Sequence, residues 1–252
     1  MSFQIHPTDN LSQRGRGAVS VEILYQDERI LVCCKPAGLL STDDENGLPG
    51  VLRAQLGDEH ACIRTVHRLD AAVSGVMVYA RSQMAASLLS EQIREGKFRK
   101  EYLAVVHGTP EAPEGELQDL LWRNRSTRKT VVVTEPRKDA KRARLFYRVL
   151  AQNGGMSLVQ VRLLTGRTHQ IRVQFSSRAL PLVGDRKYGR GDEDGCAIAL
   201  WSYRLRFFHP QTGVPLEFSL LPPDSAPWTD FSLPPDFSAP EWGSMKTEDE
   251  KQ

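Results

Sequence analysis

Short runs of alternating or fully apolar residues make up most of this chain. "VEILYQDERILVCCKPAGLL" reads as two β segments around a QDE turn. It closes on Lys35-Pro36-Ala37-Gly38, where proline presets φ and glycine admits positive φ. "GVMVYA" and "KEYLAVVHG" are apolar runs of strand length. "TVVVT", "ARLFYRVLAQ" and "MSLVQVRLLTG" supply further strands, and "AIALWSYRLRFFHPQTGVPLEFSLLPP" reads as a closing hairpin about a PQTG turn.

Helical spacing interrupts this pattern in a few places. "NGLPGVLRAQLG" predicts a short helix. Ser82 is a suitable N-cap for a helix running to about Glu95, with Ala85, Leu88, Leu89 and Ile93 at helical spacing and Gly96 as the stop. Thr168 is expected to cap "HQIRVQFSSRA", with Ile171, Phe175 and Ala179 along one face. Helices inserted irregularly between strands predict an α+β fold with a mainly antiparallel mixed sheet, not a regularly alternating Rossmann arrangement.

The organisation expected is a polar, flexible lead over 1–20, one folded domain over 21–223, and a tail over 224–252 that is Pro-rich and then acidic. The tail is expected to wrap the domain through Trp228, Phe231 and Trp242, with its last ten residues disordered.

At 252 residues, 40% hydrophobic and 25% charged, the chain has the composition of a soluble globular protein. A net charge of +2 says little about partners. Its distribution says more, because Trp122 to Arg148 holds ten Lys/Arg against Glu135 and Asp139. Such a segment is either a solvated hairpin face or a patch that attracts a polyanion. The N-terminus lacks the apolar core of a signal peptide and no run approaches membrane-spanning length, so a cytoplasmic protein is expected, with no membrane partner. Cys33 and Cys34 fall on opposite faces of one strand, and Cys62 and Cys196 are isolated, so neither a disulfide framework nor a zinc site is expected.

Phosphate-loop, dinucleotide, HExxH and serine-elbow signatures are absent. What remains is Asp70 in "TVHRLDAAVSG", Tyr102 after "RK", and the helix entrance "TGRTHQIR". Asp70 reads locally as half of an ordinary ion pair, Tyr102 as an amphipathic strand aromatic, and Arg172 as a surface helix arginine able to reach back toward a carboxylate. A glycine turn before a capped helix would leave backbone N–H groups facing outward as an anion site, with Arg167, His169 and Arg172 adding donors.

"CCKPAGLLS", "HRLDAAVSGVMVYA", "KFRKEYLAVVHG" and "LLTGRTHQIRVQFSSRALPLVGDRKYG", in that order, resemble the RluA-type pseudouridine synthases from about Val21 to Pro223. The resemblance implies the pseudouridine synthase fold, with helices and loops flanking a central catalytic cleft. It also implies conversion of selected uridines of rRNA or tRNA to pseudouridine by base flipping. By similarity Asp70 is the catalytic aspartate, Tyr102 the active-site tyrosine and Arg172 the basic partner of the aspartate. Arg68 is expected to enter the duplex where the base leaves, and His67, Arg167 and His169 to contact RNA.

The resemblance requires no metal or organic cofactor, and no obligate protein partner is expected of a monomer. Two departures stand out: Val73 occupies a position where the family usually carries Thr, and 20 residues cannot form the extra N-terminal RNA-binding domain of many relatives. The competing readings are a non-catalytic RNA-binding or ribosome-assembly factor on the same fold, and a base-excising glycosylase.

Overall fold

The computed structural model describes residues 2–4, 20–190, 196–233 and 237–242. In chain order the elements are β1 (Ser2–Gln4), β2 (Ile23–Gln26), β3 (Ile30–Lys35), α1 (Leu48–Leu56), β4 (Arg64–Thr65) and β5 (Ser74–Ala80). Then come α2 (Gln83–Arg94), β6 (Arg99–His107), β7 (Glu114–Arg123), β8 (Thr130–Val133), β9 (Lys141–Asn153) and β10 (Met156–Leu163). The chain continues through α3 (Gln170–Ser176), β11 (Leu200–Phe208), β12 (Pro215–Ser219) and a 3-10 turn at Trp228–Phe231. The strands form one 12-stranded sheet in the order β2-β3-β5-β11-β6-β10-β9-β7-β8, with β4 beside β5 and β12 beside both β11 and β1. Among the described residues only β5–β11 and β1–β12 are parallel pairs, so the predicted α+β class with a mainly antiparallel mixed sheet is the observed one.

Local chemistry sets several of these elements. The Asp27 carboxylate accepts the N–H groups of Arg29 and Ile30 at 2.7 and 2.8 Å, which turns the chain between β2 and β3. Ser82 accepts the Ala85 N–H at 3.1 Å and starts α2, and Gly96 at φ +70° follows its end. Alternation then sorts side chains between two cores. Leu31, Met77, Tyr102, Ala104 and Val159 pack with Leu48 and Leu52 of α1 and Ile171 and Phe175 of α3. Ile30, Val78, Leu103 and Val105 pack on the other face with Ala85 and Leu89 of α2 and with Trp228. Cys33 joins the first core and Cys34 packs against the second, as the pattern predicts.

The structure departs from the sequence pattern in four places. Ser2–Gln4 is a strand parallel to β12, inside the segment expected to be a loose lead. Strand β7, "EGELQDLLWR", mixes charge and apolar residues too irregularly to announce itself, yet it pairs with both β8 and β9. α3 ends at Ser176, so Ala179, at φ +59°, lies beyond the helix whose face it was expected to share. Thr168 is not the N-cap of that helix: His169 is, in the left-handed region at φ 57°, with no side-chain cap bond.

The tail packs as far as Trp242. Trp228 is buried, and the Trp242 ring lies 6.4 Å from that of Phe146, with the Arg148 guanidinium 5.2 Å from its centre. Glu241 pairs with Arg206, and its carboxylate is 3.0 Å from Nη1 of Arg204, whose Nη2 bonds Glu101 at 2.7 Å. Glu101 and Arg204 are each 1% exposed, and the strap over them is polar as well as aromatic. The expected disorder of the last ten residues concerns 243–252, which lie outside the described residues. No helix among the described residues is long and apolar enough to cross a membrane.

One glycine is required by a close approach. Gly75 adopts φ +119° where β5 meets β11, and a Cβ built on it would sit 2.3 Å from the Ser202 carbonyl oxygen. Neither strand can move aside without losing its other neighbours. Gly75→Ala is therefore expected to destabilise the fold by at least about 2 kcal/mol. Gly50, exposed within α1 and with open space at its Cβ, provides the control: Gly50→Ala should stabilise by about 0.5 kcal/mol. Urea titration of the two variants against the parent checks the contrast, and equal midpoints for Gly75→Ala and the parent would contradict the contact.

Candidate active site

A cavity of about 750 Å³ opens between the 65–71 segment, β6 and the 166–172 segment, lined by Arg68, Asp70, Lys100, Tyr102, His169 and Arg172 among others. Asp70 sits in a loop that several buried donors hold in place. Lys35 is fully buried, and its ammonium donates to the carbonyls of Pro36, Ala71 and Val73 at 2.9, 3.1 and 2.9 Å. Three ammonium protons thus meet three carbonyl oxygens, two of them just beyond Asp70. Burial pulls the Lys35 ammonium down to about 8, and the nearby Asp70 charge opposes that fall. Ser41 closes the other side, donating to the Leu69 carbonyl at 2.9 Å and accepting the Leu69 N–H at 3.0 Å.

Arg172 comes from the middle of α3. Its Nη1 donates to Oδ2 of Asp70 at 2.8 Å, while Nε and Nη2 grip the two oxygens of Asp185 at 2.8 and 2.7 Å. Asp185 is wholly buried as a side chain and also accepts the N–H groups of Lys187 and Tyr188 at 2.9 and 3.1 Å. Burial works against both charges, but the fork holds the Asp185 carboxyl below its ordinary value and the Arg172 guanidinium above its own. The Asp70 side chain keeps 26% of its surface, and its Oδ1 has no hydrogen-bond partner among the described residues. The result is an oriented carboxylate with one oxygen directed to the cavity and its charge balanced from behind.

Tyr102 projects from β6 into the same cavity, opposite in direction to its neighbour Glu101. Burial, and then the Asp70 charge, push its hydroxyl well above the usual tyrosine range, so it is a protonated phenol at neutral pH. Its hydroxyl has no partner among the described residues, which leaves an aromatic wall with a polar tip.

The remaining expected residues divide. Arg68 is exposed at the rim with no ion pair or side-chain hydrogen bond among the described residues. Arg167 is exposed too, with Nε bound to the Arg142 carbonyl at 2.9 Å. His169 lines the cavity with Nε2 3.9 Å from Oδ2 of Asp70. His67 does not fit an RNA contact. It is buried against the ring of Phe98, its Nε2 accepts the Val78 N–H at 3.2 Å, and burial pulls its pKa to about 3, with Lys100 adding to the fall. It fastens the 65–71 segment to β5.

The anion site expected at the α3 entrance also needs correction. Gln170 Oε1 takes the Arg167 N–H at 3.0 Å and the Thr165 hydroxyl at 2.8 Å, while the Gln170 N–H is spent on the Arg167 carbonyl at 3.1 Å. Thr168 accepts instead from Arg123 at 3.3 Å. Two of the N–H groups expected to face outward are therefore satisfied within the turn, and exposed side chains add positive charge there.

Lys35, Ser41, Lys100, Asp185 and Tyr188 are site-building residues that sequence reasoning passed over. Lys35 begins the "KPAG" turn and Asp185 and Tyr188 stand in "LVGDRKYG", but local spacing gives no sign that these segments meet at Asp70. Lys100 lines the cavity without a partner among the described residues, and burial lowers its pKa. Among the described residues no group of three His, Cys, Asp or Glu is placed to hold a metal ion.

Known proteins resemble this chain in sequence and in fold. The model of a family described as RNA pseudouridylate synthase matches residues 29–177. RluA of Yersinia pestis, a dual-specificity RNA pseudouridine synthase, is 34% identical over 205 residues, covering 78% of this chain and 96% of RluA. The uncharacterized RNA pseudouridine synthase YhcT of Bacillus subtilis (strain 168) is 33% identical over 202 residues, covering 76% of this chain but 65% of YhcT. Among solved structures, human RNA pseudouridylate synthase domain containing 1 superposes with a TM-score of 0.70 at 25% identity, covering 84% of this chain and 87% of the human one. So matched along most of its length, the chain belongs to the RNA pseudouridine synthase family of the RluA type.

Proposed function

We propose that this protein converts selected uridines of rRNA or tRNA to pseudouridine, with Asp70 as the catalytic carboxylate. The observation that carries the reading is the Arg172–Asp70 pair at 2.8 Å, on a cavity wall shared with Tyr102. In the reaction the N1–C1′ bond of uridine breaks and a C5–C1′ bond forms. C5 loses its proton, N1 gains one, and the product is an isomer. Departure of the base develops positive charge at C1′, which a carboxylate beside it stabilises or traps. The base must first leave its stack, at a cost of a few kcal/mol, and find an aromatic or apolar wall. Tyr102 and Leu200 offer that wall, and Arg68 stands at the rim where it can fill the gap left in the duplex. We assign the protein to the cytoplasm as a monomer.

Phosphate binding fits the β7–β8 hairpin. Its tip, residues 124–129, presents Arg125, Arg128 and Lys129 to solvent, and Arg123 and Arg167 continue the positive surface to the cavity. Arg137 lies 3.8 Å over the Trp122 ring and braces the hairpin. Such contacts give affinity without sequence preference and leave identity to the cavity.

Incubation with total RNA lacking the modification, followed by mapping of pseudouridine and assay of free uracil, tests the reaction. Pseudouridine without released uracil is expected; released uracil would mean a glycosylase, and binding with neither product an assembly factor. Asp70→Asn should abolish turnover while RNA affinity stays within a few-fold, and comparable rates would remove Asp70 from the chemistry. Arg172→Ala should lose turnover and also lower stability by about 3–5 kcal/mol, because Asp185 is left buried and unpaired; parental activity and melting would refute the fork. Replacing Arg125, Arg128 and Lys129 together by Ala should weaken RNA binding and reduce the slope of log K against log salt by roughly 2. Rates at saturating RNA should be unchanged, and an unaltered salt slope would rule the hairpin tip out as a phosphate contact.

A further inference from the structure

His169 is built more elaborately than a surface RNA contact requires. It holds left-handed backbone at φ 57° without being glycine, a conformation that persists where the surroundings impose it. Its Nδ1 lies 2.6 Å from the Tyr188 hydroxyl, which also accepts the Thr130 N–H at 2.9 Å. Tyr188 is not among the cavity-lining residues; it packs behind, with its ring edge-on to His169 and under the Arg172 guanidinium at 5.1 Å.

These bonds favour one tautomer. The phenol has one proton, its oxygen already takes the Thr130 N–H, and the short 2.6 Å contact is best made with that proton directed to Nδ1 of His169. Nδ1 is then unprotonated and Nε2 carries the hydrogen. That N–H faces Oδ2 of Asp70 across 3.9 Å. The two atoms are too far apart to bond each other but close enough to share one bridging oxygen at about 2.8 Å from each. Burial keeps the imidazole neutral, with Arg172, Lys187 and Arg123 opposing protonation and Asp70 alone favouring it.

The bridging group must accept from Nε2–H and donate to a carboxylate. Uracil O2 and O4 only accept, and N3–H only donates. Within an RNA strand the 3′ and 5′ oxygens are esterified, so the 2′-hydroxyl is the nucleotide group that does both. Resting on the reading that this cavity takes a flipped uridine, we propose that His169 and Asp70 together grip the 2′-hydroxyl of the target nucleotide, with Tyr188 as the positioning residue that fixes the His169 tautomer. The site thereby selects ribose over deoxyribose at the nucleotide it modifies.

The probe is an RNA pentanucleotide with one central uridine, compared with the same oligomer carrying 2′-deoxyuridine there. Dissociation constants are read by NMR titration, and pseudouridine formation on total RNA is scored separately. The parent should prefer the ribose form by about 10-fold, the worth of one good hydrogen bond. His169→Ala should bring the preference below about 3-fold, and His169→Gln, whose amide N–H can take the place of Nε2–H, should keep it. Tyr188→Phe should lower the preference while leaving His169 in place, and it provides the test if His169→Ala does not fold.

An unchanged preference in both His169→Ala and Tyr188→Phe, or none in the parent, would overturn the inference even if pseudouridine is formed. A ribose preference that depends on His169 in a protein that forms no pseudouridine would instead overturn the proposed reaction and leave the hydroxyl contact standing.

Discussion

A single guanidinium shared between two carboxylates organises this molecule. Arg172 commits two of its nitrogens to buried Asp185 and a third to Asp70. The planar fork makes that division possible, since a lysine ammonium could not bridge both acids with fixed geometry. Asp185 neutralises the arginine inside the protein, so Asp70 need not surrender its cavity-facing oxygen to do so. A buried pair of this kind contributes little net stability against a hydrophobic replacement, whereas breaking it is costly. Its value lies in orientation. The backbone N–H groups of Lys187 and Tyr188 anchor Asp185, so the same turn that fixes Arg172 also delivers Tyr188 to His169.

The sheet supplies the remaining precision. On β6, Tyr102 faces the cavity while its neighbours Glu101 and Leu103 face the second core, so one strand register sets wall and backing together. The crossing of Gly75 under Ser202 brings β5 against β11 and fixes where the 65–73 loop must leave the sheet. Lys35 and Ser41 then hold that loop from the other side. Asp70 is thus defined by contacts from three separate stretches of chain.

The strands were legible in the sequence where local pattern and local chemistry agreed. Asp27 and Ser82 each act on the two or three residues that follow, and the elements they start were read correctly. α3 was misread because Gln170 reaches back to the turn and takes over the role assigned to Thr168. β7 was missed because its pairing with β9, not its own composition, makes it a strand. Motif order pointed to Asp70, Tyr102 and Arg172 as the candidate site, and the fold does bring them to one cavity. The supporting residues were invisible for a different reason: Lys35 and Asp185 act across 38 and 13 residues of chain, and nothing local marks a side chain for so distant a partner.

The C-terminal strap bears on the order in which the molecule can be finished. Arg204 is buried in the middle of the sheet, and one of its close carboxylate partners, Glu241, arrives 37 residues later along the chain. During synthesis the β6–β11 pairing can form as soon as Phe208 has emerged, with Glu101 already present to meet Arg204. Until the strap follows, that pair and the neighbouring Arg206 stand open to water on the sheet face opposite Tyr102. A chain that has reached Phe208 but not Glu241 would therefore have the cavity side of the sheet assembled and its reverse side still solvated, and the strap would dry the strand from behind.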